Sequence, residues 1–100
     1  MATVSKALFR GAASTSSTTL YTTPSATTAV VTNILVANTA AVAATFDLSL
    51  DDVQIANDVA ISPNDCITID LKQVLATTKT IKGLATATTV NFHISGVEIA

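Results

Sequence analysis

Hydrophobic positions recur along this chain with a period of two. From position 29 to 37 it reads Ala-Val-Val-Thr-Asn-Ile-Leu-Val-Ala, with Val30, Thr32, Ile34 and Val36 in one phase and Val31, Asn33, Leu35 and Ala37 in the other. Val, Ile and Thr crowd a helix at χ1 but sit well on a pleated surface, so this stretch is a strand. Both of its phases are mostly apolar, which predicts a strand buried on both faces inside a sandwich. Residues 42–50 alternate more cleanly: Ala44, Phe46, Leu48 and Leu50 point one way, and Thr45, Asp47, Ser49 and Asp51 the other. That is a sheet with one wet face.

The remaining segments follow the same rule. Residues 3–10 form a first strand with a bend at Gly11, and 18–22 a short second one closed by a turn at Pro24. Asp51-Asp52 is a tight turn, Val53 and Ile55 return from it, and Asn57-Asp58 interrupts before Val59 and Ile61. Pro63-Asn64-Asp65 turns into a strand at 66–70 with Ile67, Ile69 and then Leu71 inward. Asp70 and Gln73 have capping-box spacing, and Leu71, Val74 and Leu75 share a helical face, so one helical turn is expected at 71–75. A strand at 79–84 precedes the last one, where Val90, Phe92 and Ile94 are even but Val97 and Ile99 are odd. A phase change in a strand needs an extra residue, which predicts a β-bulge at Ser95-Gly96. The sum is one all-β domain over residues 1–100, an antiparallel, jelly-roll-like β-sandwich. Its expected core is Val30, Ile34, Val36, Phe46, Leu48, Ile67, Ile69, Phe92 and Ile94.

Composition narrows the function. Only 12% of the 100 residues are charged and 4% aromatic, with Thr and Ser filling the polar positions. A freely solvated domain carries about twice that charge, so part of the surface is expected to be covered by other protein, first of all by further copies of the chain. Lys6, Arg10, Lys72, Lys79 and Lys82 are scattered, whereas a nucleic-acid binder needs clustered cations. The charge-free run from Gly11 to Phe46 is broken by Thr32, Asn33, Asn38 and Thr39, too polar for a membrane-spanning helix. Cys66 is the only cysteine, so no intramolecular disulfide forms.

Candidate chemistry is sparse. Cys66 and His93 are the one conceivable nucleophile and base, but each stands alone in an alternating strand and lacks an orienting partner. Asp47, Asp51, Asp52 and Asp58 could meet around a hairpin and hold Ca²⁺, yet their spacing has no regular calcium-loop pattern and suits solvated turns better. Asn33 reads as a core amide satisfied by its neighbours. Gly11, Gly83 and Gly96 are isolated and form no phosphate-cradling loop. No catalytic, cofactor-binding or metal residue is expected.

Three phrases in order resemble a group of small virion proteins known mainly from tailed phages of marine and freshwater bacteria. They are Thr18-Thr19-Leu20-Tyr21-Thr22-Thr23-Pro24, Val31-Thr32-Asn33-Ile34-Leu35-Val36-Ala37-Asn38-Thr39 and Asn91-Phe92-His93-Ile94-Ser95-Gly96-Val97-Glu98-Ile99. The resemblance implies a short antiparallel β-sandwich attached to the capsid as decoration or to the tail, non-enzymatic and without defined site residues. It makes a capsid decoration or cement protein the first expectation. A tail, collar or fibre component that binds other virion proteins or a host glycan is the alternative. Expected partners are the chain itself, as a cyclic homo-oligomer such as a trimer, and phage capsid or tail proteins. Nucleic acid and membrane are not expected, and the expected location is the virion, assembled in the host cytoplasm.

Overall fold

The computed structural model describes residues 2–100 and contains eight strands. They are β1 (Thr3–Ala12), β2 (Thr18–Thr22), β3 (Thr28–Asn38), β4 (Ala44–Leu50), β5 (Val53–Ile61), β6 (Asp65–Leu75), β7 (Thr80–Ala85) and β8 (Val90–Ile99). One four-stranded sheet has the order β1-β8-β3-β6 and the other β2-β7-β4-β5, with antiparallel pairing throughout. We refer to them as the first and second sheets. Partners β1 and β8, β2 and β7, β3 and β6, and β4 and β5 make the chain one long hairpin rolled into two layers, which is the jelly-roll arrangement.

The core lies between the layers. Phe46 of β4 and Phe92 of β8 meet edge to face at its centre, ring centroids 6.1 Å apart, and both are fully buried. Ile34, Val36, Leu48 and Ile94 surround them as period two predicts. Ile61, Leu75, Ile81 and Val90 complete the fully buried set of large aliphatic side chains with Val31.

Val30, expected in the core, faces outward. The reason is an extra residue in β3: Val31 pairs with Gly96 and Asn33 with Ser95, which leaves Thr32 unmatched. The inward set is therefore Ala29 and Val31 before the bulge, and Ile34, Val36 and Asn38 after it. Apolar residues occupy both phases of this strand because its phase switches, in addition to its partly apolar outer side. Asn33 likewise lies on the outer face, in one row with Ser95 and Asp70.

The bulge expected at Ser95-Gly96 is absent; β8 keeps one phase from Val90 through Gly96, and Gly96 has no positive φ. The extra residues are in its neighbours, Leu8 in β1 and Thr32 in β3. Glycine is required at 96 because a Cβ there would lie 2.3 Å from the carbonyl oxygen of Val30 and 2.9 Å from Leu8 Cδ1. The expected bend at Gly11 is also absent, since β1 runs on to Ala12 and its irregularity falls at Leu8.

The helical turn expected at 71–75 is instead the end of β6. Ala29 pairs with Leu75, Val30 with Val74 and Val31 with Gln73, so ladder bonds to β3 override the local cap signal. The register between Gln73 and Asp70 absorbs the irregularity. Ile67 and Ile69 are only half buried, because β6 is the edge of its sheet.

All connections are short: 13–17, 23–27, 39–43, 51–52, 62–64, 76–79 and 86–89. Asp51 and Asp52, with φ of 53° and 59°, make the two-residue turn whose twist suits a hairpin. Asp58, φ 50°, sits where β5 carries an extra residue, so the interruption read at Asn57-Asp58 is a bulge within one strand.

Candidate functional site

Cys66 and His93 share the outer face of the first sheet but do not meet. His93 lies in the row Arg10, His93, Leu35, Thr68 and Cys66 in the row Ala12, Asn91, Ala37, Cys66. Strand β3 stands between their strands, which puts about 10 Å of sheet between them. A nucleophile and its base must be within hydrogen-bond reach, so these two make no dyad.

The four aspartates disperse. Asp47 accepts the Asp58 backbone N–H at 2.8 Å and the Gln54 side-chain amide at 3.3 Å, which fastens the bulge of edge strand β5 to β4. Asp51 pairs with Lys79 at 3.6 Å and Asp52 with Lys82 at 2.8 Å. The hydrogen bond and charge of Lys82 hold the Asp52 carboxyl below its usual range. Among the described residues no group of three His, Cys, Asp or Glu side chains is close enough to hold a metal ion. A hollow of about 60 Å³ opens over Gly83 between Ser17, Asp47, Gln54 and Lys82. Pockets for small ligands run to roughly 300–1,000 Å³, so this one accommodates solvent.

Two polar clusters escaped the sequence reading. Glu98, which pairs with the inward Ala29, faces between the sheets and accepts the Tyr21 hydroxyl from β2 at 2.5 Å. Lys6 of β1 adds an ion pair at 3.4 Å. The Tyr21 hydrogen bond draws the Glu98 carboxyl below its ordinary range, against partial burial and with help from Lys6. Burial first, and then the bond to Glu98, raises the Tyr21 hydroxyl. The even phase of β8, followed past Gly96, was the signal for Glu98. At the opposite end of the sandwich, buried Asn38 donates to the carbonyl of Val42 at 2.8 Å and of Ser62 at 3.3 Å, and accepts the Ala40 N–H at 3.2 Å. It ties together the connections that follow β3 and β5. Both clusters hold elements in place and present no open reactive group.

What the molecule does present is surface. The outer face of the second sheet is mostly polar, with Thr19, Lys82, Asp47 and Ser49 alternating against the buried set and half-buried Leu84 beside Asp47. The outer face of the first sheet carries a row of Val97, Val30 and Val74, with Val74 67% exposed, and Leu35 in the row next to that of Asn33. Edge strand β5 adds exposed Val53, Ile55 and Val59. Of the aromatics, Tyr21, Phe46 and Phe92 are buried and Phe9 is half buried, so no ring platform faces solvent.

No family model matches the chain, and neither does any curated protein. Among solved structures it is similar, at 20% identity and a TM-score of 0.39, to one described as a pentameric capsid protein isolated from metagenomic phage sequences. The match covers 96% of this chain and 59% of that one, so this chain spans about three fifths of the other's length.

Proposed function

We propose that this chain is a non-enzymatic virion structural protein of a tailed bacteriophage, and specifically a capsid decoration or cement protein. It binds the head in many copies and stabilises it by burying surface between capsid subunits. The observation that carries this reading is the disposition of apolar surface. Val74 lies exposed on the outer face of the first sheet and Val53, Ile55 and Val59 on the β5 edge, with Val4 on β1 and Val42 in the 39–43 connection also exposed, on a stiff sandwich whose connections are too short to build a conventional loop site. The three sequence phrases quoted above supply the phage assignment. Its partners are further copies of itself and capsid proteins, and its place is the virion, assembled in the host cytoplasm.

A tail or fibre role with glycan binding has less support, because stacking on sugars needs exposed rings and the aromatic side chains are turned inward. Quantitative mass spectrometry of purified virions tests the assignment. Hundreds of copies per particle, together with heads that rupture at lower temperature when the protein is missing, are the expected result. About a dozen copies or fewer would move it to the tail, and absence from particles would overturn the reading. Cys66→Ala should leave head binding unchanged.

A further inference from the structure

The outer face of the first sheet carries opposite charges at its two edges. Arg10 is exposed on edge strand β1, in the row Arg10, His93, Leu35, Thr68. Asp70 is exposed on the opposite edge, β6, in the adjacent row Ala7, Ser95, Asn33, Asp70. Directly opposed residues of an antiparallel ladder share a face, and the buried Phe92 and Ile94 flank His93, so Arg10 and Asp70 both lie on the outer side. Lys72, also on β6, lies two positions beyond Asp70, away from the row of Arg10.

We infer that a second copy of this chain covers this face, its first sheet packed on the first sheet of its partner about a two-fold axis parallel to the strands. Rotation about such an axis lays β1 of one copy over β6 of the other and β8 over β3. Each Arg10 then stands over Thr68 of the partner subunit, within one row of Asp70 of the partner subunit. Lys72 of the partner subunit is farther off. The same operation sets Val97 on Val30 of the partner subunit and Val30 on Val97 of the partner subunit, so the apolar row is complementary to itself. Sheets stacked face to face in this way are about 10 Å apart, a gap that an arginine side chain spans.

The area suffices. Four strands about 4.8 Å apart and ten residues long at about 3.3 Å each cover roughly 600 Å² per copy, near the 800 Å² or so per partner of a standard interface. The polar outer face of the second sheet and the β5 edge stay free in the pair, available to other virion proteins. This inference deepens the homo-oligomer part of the proposed function and rests on it. It is testable on the purified protein, without the virion.

Sedimentation equilibrium decides it. The wild type should be a dimer or an even-numbered assembly at micromolar concentration. Arg10→Asp and Asp70→Arg should each raise the dissociation constant about tenfold or more, and the doubly reversed variant should regain most of the loss. Val97→Lys should abolish association. Both charged residues are exposed, and unchanged circular dichroism would show that the variants fold. A wild type that stays monomeric overturns the inference. So does an assembly indifferent to Val97→Lys, or single reversals that the double reversal does not rescue. Indifference to Val97→Lys would place self-association on another surface, failure of rescue would exclude the Arg10–Asp70 pairing and with it this two-fold arrangement, and a monomer found in hundreds of copies on virions would leave the decoration reading intact.

Discussion

Gly96 and Glu98, two residues apart on β8, show how much a single side chain decides here. A Cβ at 96 would press on the Val30 carbonyl oxygen, a backbone atom that cannot swing aside. Gly96→Ala should therefore cost about 1–3 kcal/mol in chemical denaturation, despite the unstrained φ, and Ser95→Ala should be nearly silent. Glu98 couples stability to pH. Its carboxyl titrates lower in the folded protein than in the unfolded chain, so its contribution is complete above the unfolded value near 4.3 and disappears as pH falls through the folded one. Tyr21 has the opposite sign: its raised hydroxyl contributes fully below about pH 10 and the contribution is lost as pH climbs toward the folded value. Tyr21→Phe should weaken the protein by about 1.5–3 kcal/mol at neutral pH and flatten the acid limb of a stability profile. An acid limb unchanged in Tyr21→Phe would show that Lys6 alone sets the Glu98 carboxyl. Phe46, Leu48, Phe92 and Ile94 were legible because period two holds without interruption around them. Glu98 was not, because reading Val97 and Ile99 as core made it an outward residue.

Strands are where the sequence reading was strongest and where most of its errors lie beside a register irregularity. Strand β2 and the Asp51-Asp52 turn fall where the pattern puts them. The misplaced features, the outward Val30, the absent bulge in β8 and the strand at 71–75, all adjoin the irregularities at Leu8, Thr32 and between Asp70 and Gln73. A bulge is a mismatch between two strands. One strand's hydrophobic phase shows that an extra residue exists, but not which partner holds it. Deleting Thr32 should rotate Ile34 and Val36 to the outer face or force the strand to slip, and the protein should be recovered insoluble. Soluble protein with native circular dichroism would show that the sheet absorbs the loss elsewhere. Phe46→Ala, away from every bulge, should cost about 3–5 kcal/mol, because its cavity would open against Phe92 at the centre of the core.

For the whole molecule, the two-layer architecture was legible and the pairing order was not, since no local pattern encodes which distant strand is a neighbour. For candidate chemistry the sequence offered isolated residues and no motif. The structure adds that Cys66 and His93 lie on separate rows, and that the aspartates are engaged in pairs and turns. The rolled-hairpin topology has a kinetic consequence. Paired residues are separated by the two turn residues at Leu50 and Val53, and by nearly the entire chain at Thr3 and Ile99. Closing a short loop sacrifices less chain entropy than closing a long one, so β4 and β5 should dock first, then β3 with β6 and β2 with β7, and β1 with β8 last. Pulse-labelled hydrogen exchange should find the amides of β4 protected before those of β1, and protection of all strands at one rate would contradict that order. A chain folding in this order would keep its first sheet incomplete until β1 had paired with β8. The face inferred to recognise a second copy would then come into being only when that last pairing closed, which would keep partly folded chains from associating through it.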